Sequence, residues 1–241
     1  RATVAYSSVL LFNVLDVTRF ETVPLPEKLP DDTHEQIVNL YDVWKGMNLK
    51  NMQECYNDAI YYRDEIRELF KHGDISLRGR SISDNIFWNV INAIVKDKKK
   101  LKYIPPELQG IETALADIYY CNFSVFQSLP DSWAIGHLFP IMPVHRLSEE
   151  PVREAILADI TCDCDGKIDT FIDMHDVRHT LSLHDLRESE EYYLGVFLVG
   201  AYQETLGDLH NLMGDTNIVS IRIMDDGTYD FVREIDGDSV S

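Results

Sequence analysis

The sequence is short of positive charge. Against 41 Asp and Glu it sets only 22 Lys and Arg, a formal net charge of −19. So acidic a surface repels phosphate backbones and anionic headgroups, which argues against nucleic acid and membrane surfaces as partners. Long hydrophobic runs are lacking too. The longest, "YYLGVFLVGAY", contains two glycines and falls short of the roughly 18 residues a spanning helix needs. Cysteine is scarce: Cys55, Cys121, Cys162 and Cys164 are too few and too scattered for a disulfide framework, so a reducing, cytoplasmic setting is expected. No secretory signal opens the chain, and its first residue is Arg1. The expectation is a chain that is processed, excised or part of a longer polypeptide.

What is present suits a globular protein: 45% hydrophobic and 26% charged residues over 241 positions. The first section, "ATVAYSSVLLFNVLDVTRF", is β-branched and partly alternating, and reads as one long strand or two short ones. Prolines 24, 26 and 30 then break the pattern. A helical section follows. Thr33 and Gln36 have capping-box spacing, and Ile37, Leu40, Tyr41 and Trp44 share a face. Met52, Cys55, Tyr56, Ala59, Ile66 and Phe70 mark a second helix ending at Gly73. Phe87, Val90, Ile91 and Ile94 mark a third, whose "KDKKK" end reads as solvated lysines at a helix C-terminus. A fourth helix is expected from "PPELQ" through Leu108, Ile111, Leu115 and Ile118.

Short strand patterns follow: "CNFSVFQS", "FPIMPVHRL", "EAILADITC", "KIDTFID", "YYLGVFLVG", "NIVSIRIM" and "TYDFVREI", with one helix at "QETLGDLHNLMG". The fold expected is mixed β and α. A β-barrel or sandwich domain, residues 1–24 and 119–241, is interrupted by a helical bundle at residues 25–118.

The cysteine-rich stretch "ITCDCDGKIDTF" invites three readings. As an EF-hand aligned on Gly166 it would need a bidentate acid where Ile172 stands, so the loop fails as an EF-hand. As a redox or zinc site it lacks the CxxC spacing and any second pair. What remains is one poised or buried cysteine. His175, His179 and His184 follow closely in an acidic neighbourhood and read as surface histidines. Gly200 in "GAYQ" stands at a strand-to-helix turn, a place where phosphate can bind but where glycine is also ordinary.

Three blocks, "YCNFSVFQSLPDSWAIGHLFPIMPVHRL", "ADITCDCDGKIDTFID" and "LGVFLVGAYQETLGDLHNLMGDTN", closely resemble the C-terminal half of the biosynthetic arginine decarboxylase family. These are pyridoxal-phosphate-dependent enzymes of the alanine-racemase-like fold type. The resemblance spans essentially the whole chain, helical insertion included. It implies a (β/α)₈ barrel, absent from this chain, that carries the imine-forming lysine, and a site completed across a homodimer or higher oligomer.

Residue by residue, the resemblance makes Arg1 and Tyr202 contacts of the cofactor phosphate. It makes Cys162 the proton donor and Asp163 an acid that binds the substrate's distal cation. Asp131, in "LPDSWAI", falls in a specificity turn facing the guanidinium. The family pattern has serine where Cys164 stands, at a position without assigned chemistry. The implied reaction is decarboxylation of L-arginine to agmatine for polyamine synthesis, with magnesium a requirement usually attributed to the family. The barrel-bearing segment would be the partner, and this fragment alone would be inactive. A decarboxylase of ornithine, lysine or diaminopimelate, or a non-catalytic regulatory relative, are the alternatives.

Overall fold

A computed structural model of the chain describes residues 8–162, 166–174, 176–200, 203, 207, 209 and 213–238. The chain divides into two compact units, residues 19–116 and residues 1–18 with 117–241.

The unit 19–116 is built on three helices: α1 (Glu35–Gly46), α2 (Met52–His72) and α3 (Leu77–Lys98). Their apolar faces meet as the sequence periodicity requires, burying Ile37, Leu40, Ala59, Ile66, Ile86, Val90 and Ile94 in one core. Each of the Ile, Leu and Val side chains contributes about 1.5–3 kcal/mol by leaving water. The second helix stops at Gly73, whose φ of 86° is left-handed. The first starts one residue later than its sequence suggests. His34 caps it, its Nδ1 accepting from the Gln36 N–H at 3.2 Å. Thr33 instead turns its hydroxyl back to the Pro30 carbonyl at 2.7 Å, so the expected capping box does not form.

Two further expectations for this unit are corrected. No fourth helix runs to Ile118. Residues Pro106–Leu108 and Ile111–Leu115 form two separate 3₁₀ turns, broken by the left-handed Gly110 (φ 68°), and residue 117 already begins a strand. Nor is the "KDKKK" end wholly solvated. Lys98 is buried, donates to the Leu108 carbonyl at 3.0 Å and pairs with Glu112. It therefore ties the first 3₁₀ turn to the helix before it.

The other unit carries β1 (Val9–Thr18), β2 (Asp117–Cys121), β3 (Ile141–Pro143), β4 (Arg153–Ala158) and β5 (Lys167–Ile168). It continues with β6 (Phe171–Ile172), β7 (Val177–Arg178), β8 (Leu181–Leu183), β9 (Tyr193–Phe197), β10 (Ile218–Ile223) and β11 (Tyr229–Ile235). The main sheet has the order β3-β9-β1-β2-β4-β5, with β8 also on β4. Among the described residues only β2 and β4 run parallel. Mixed β and α architecture is thus as expected, but among the described residues the sheet ends at β3 and β5 and does not close on itself. Its inner face buries Phe12, Val14, Tyr119, Cys121, Leu157, Leu194 and Val196. Phe12 stacks on Phe123 at 4.0 Å between centroids. At the start of the parallel pair, Arg153 clamps the buried Asp117 bidentately, at 2.6 and 2.9 Å.

Two strand expectations fail locally. "CNFSVFQS" is strand only to Cys121, because the Ser124 hydroxyl accepts from the Gln127 N–H and starts a short helix, α4 (Val125–Ser128). Pro130 then opens α5 (Pro130–Ile135), which left-handed Gly136 ends. "KIDTFID" splits because Ile168 pairs with Leu157 of β4, whereas Phe171 pairs with Arg178 of β7. Most of the helix expected at "QETLGDLHNLMG" lies outside the described residues.

Candidate active site

The segment with the two cysteines leaves the end of β4 and is organised by a residue to which the sequence drew no attention. Asp159 is only 4% exposed. Its Oδ2 accepts from the Val125 N–H at 2.8 Å; its Oδ1 accepts from the Thr161 N–H at 3.1 Å and the Thr161 hydroxyl at 2.7 Å. Its own N–H donates to the Gly166 carbonyl at 2.8 Å, closing the loop. Cys162 follows at a turn, a free and exposed thiol. Asp163 and Cys164 lie outside the described residues.

Thiol environments separate the remaining cysteines. Burial pushes the Cys121 thiol up to about 12. Burial first, then the charges of Asp58 and Glu54, also raises Cys55. Among the described cysteines, Cys162 is the one within reach of a solute.

Asp131 sits in the first turn of α5, partly exposed. Gln203, 4% exposed, holds it twice: the Gln203 amide donates to Oδ2 at 2.6 Å, and its carbonyl oxygen accepts from the Asp131 N–H at 3.2 Å. The carboxylate is therefore oriented before any ligand arrives. Trp133 and Ile135 of the same short helix are exposed. Gln203 belongs to "GAYQ", whose Tyr202 lies outside the described residues, as does Arg1.

Beside that turn a cavity of about 200 Å³ is lined by Ser8, Ser128, Gly200, Gly207, Asp215 and Thr216, among others. Gly200 takes a φ of 76° there. Gly207 packs so closely that a Cβ would fall 1.8 Å from the Gln127 carbonyl oxygen. The hydroxyls of this lining suit a phosphate, whereas the Asp215 carboxylate opposes one.

The histidine cluster is not one environment. His179 is exposed, as expected, and His175 lies outside the described residues. His184 is a correction: it is buried, with Nδ1 2.7 Å from the Tyr192 hydroxyl and Nε2 3.1 Å from the Glu149 carbonyl. Both ring nitrogens are used within the core, so its role is packing. Among the described residues, no three His, Cys, Asp or Glu side chains are grouped to hold a metal ion.

Asp159 and Gln203 are the site residues that sequence reasoning passed over. In a chain with 41 acidic residues one more aspartate carries no signal. The available hint was its place at the end of the apolar run "EAIL", where a charge needs partners if it is buried.

Residues 30–112 match the family model described as the arginine decarboxylase helical bundle domain. The chain as a whole is similar to biosynthetic arginine decarboxylases, as its motifs suggest. It is 48% identical over 240 residues to that of Thermosynechococcus vestitus and 46% identical over 241 residues to that of Bacteroides thetaiotaomicron, each match covering 100% of this chain. It spans 37% and 38% of the lengths of those two relatives. The crystal structure of biosynthetic arginine decarboxylase SpeA from Campylobacter jejuni superposes with a TM-score of 0.74 at 35% identity, over 95% of this chain and 36% of that one.

Proposed function

We propose that this chain is part of a pyridoxal-phosphate-dependent arginine decarboxylase that forms agmatine for polyamine synthesis. The observation that carries the reading is the 48% identity sustained along the whole chain. The remaining length of such relatives would supply the barrel and the imine-forming lysine, and two protomers would complete each site.

When bound, the cofactor supplies an electron sink for the carbon that loses carbon dioxide. This chain's residues supply the proton and part of the binding. Cys162 holds a proton on an exposed turn and delivers it to that carbon, the work of a general acid. Asp131, oriented by Gln203, and Asp163 accept the N–H groups of the substrate guanidinium, whose planar fork matches a carboxylate. Arg1 and Tyr202 take the cofactor phosphate. The exposed thiol of Cys162 and the carboxylate of Asp131 held by Gln203 support these two assignments. Magnesium would be an accompanying cation, and the setting cytoplasmic.

The test is release of carbon dioxide by the full-length protein carrying this chain, supplied with pyridoxal phosphate and L-arginine, ornithine, lysine or diaminopimelate in turn, with agmatine identified as the amine formed from arginine. Turnover of arginine above the others is expected. Preference for another basic amino acid would overturn the substrate assignment. The 241 residues alone are expected to release no agmatine, and activity from them would refute the two-part site.

A further inference from the structure

We propose that Asp159 is a positioning residue for the reaction, a clamp that sets the Cys162 turn and fixes it to the segment leading to Asp131. The inference rests on the reading of Cys162 as proton donor given above.

The clamp has two sides. On one, Oδ1 gathers the N–H and hydroxyl of Thr161, the residue immediately before Cys162. On the other, Oδ2 reaches 34 positions back to the Val125 N–H at the start of α4, from which the chain runs directly into α5 and Asp131. The Ile160 N–H also donates to the Phe123 carbonyl at 3.4 Å, so the two segments lie side by side. Gly166 closes the far end of the loop against the same carboxylate. A Cβ there would lie 1.9 Å from Oδ2 and 2.1 Å from Oδ1.

Burying a carboxylate without a cationic partner is unfavourable, and nothing about packing alone calls for it. No ion pair to Asp159 is present among the described residues. Three directed donors from two segments are, however, what is needed to hold a turn in one orientation. A thiol that must meet one carbon of a bound substrate requires such fixing, because a displacement of about 1 Å can cost roughly 100-fold in rate.

The experiment uses the full-length protein with Asp159→Asn, Thr161→Val, Cys162→Ala and the double variant Asp159→Asn/Cys162→Ala. Steady-state arginine decarboxylation is measured alongside the rate of iodoacetamide alkylation of Cys162, read by peptide mass. Cys121, buried, serves as the folding control. Asp159→Asn is expected to lower kcat about 10- to 100-fold with KM within about threefold, and to change Cys162 alkylation at least fivefold while Cys121 stays protected. In the Cys162→Ala background it should cost little more, since it acts through that thiol. Thr161→Val, which deletes one donor of the three, should move both readouts the same way by less, and it decides the matter if Asp159→Asn fails to fold.

Unchanged kcat and unchanged alkylation in a folded variant would overturn the proposal. So would a full additional loss in the Cys162→Ala background. Should Cys162→Ala itself leave kcat intact, the reading of Cys162 fails, and the alkylation arm still decides whether the clamp exists.

Discussion

At the scale of single residues, the proposal makes a distinct demand of each of two side chains, Cys162 and Asp131. Replacing Asp131 by Asn in the full-length protein would remove a charged acceptor from the guanidinium site proposed above. A charge-assisted hydrogen bond is worth about 1.5–3 kcal/mol, so KM for arginine should rise about 10- to 100-fold with less effect on kcat. Alkylation of the native protein should label Cys162 first and leave Cys55 and Cys121 until unfolding. The raised thiol of Cys121 adds a sign. It stays neutral in the fold while its unfolded counterpart ionises near its ordinary value of 9.0. Its contribution is therefore complete below about pH 9 and shrinks as pH climbs toward 12. Cys121→Ser should flatten alkaline unfolding in that window. The sequence made Cys162 and Asp131 legible only through long motif blocks. Asp159 and Gln203 stayed hidden because a residue's partners 34 and 72 positions away have no local signature.

At the scale of elements, the helices were the readable part. Their apolar faces recur at helical spacing, and the Gly73 stop follows from the need for a left-handed terminus. Where expectation failed, local chemistry outweighed pattern: Gly110 broke a run that looked helical, and Ser124 with Pro130 turned a strand-like run into two short helices. The Lys98–Glu112 pair was also invisible, since a lysine-rich end reads as solvated. It yields a test. Burial works against ionised Glu112, but its bonds to Lys98 and to its own backbone outweigh that and lower its pKa below 4.5. The stabilisation is thus present above about pH 4.5 and lost as pH falls through the lowered value. Urea midpoints at pH 7 and pH 4 should differ less in Glu112→Gln than in the parent. In the loop of the β unit, Gly166→Ala should destabilise by about 1–3 kcal/mol, because its Cβ would occupy the place of the Asp159 carboxylate.

At the scale of the whole molecule, one chain holds two units with separate cores. The unit 19–116 has a complete apolar core of its own, so that segment expressed alone should show helical circular dichroism and cooperative unfolding. Among its described residues the other unit presents a reachable thiol, Cys162, and an oriented carboxylate, Asp131, which the proposal sets against a lysine from the relatives' remaining length. That division of labour is the central claim. It is tested most directly by the kcat of arginine decarboxylation in the full-length protein bearing Cys162→Ala. General acid catalysis is worth about 100-fold or more, so the account predicts a kcat reduced by at least about that factor with KM for arginine nearly unchanged. A variant that turns over arginine at the parent rate would contradict it.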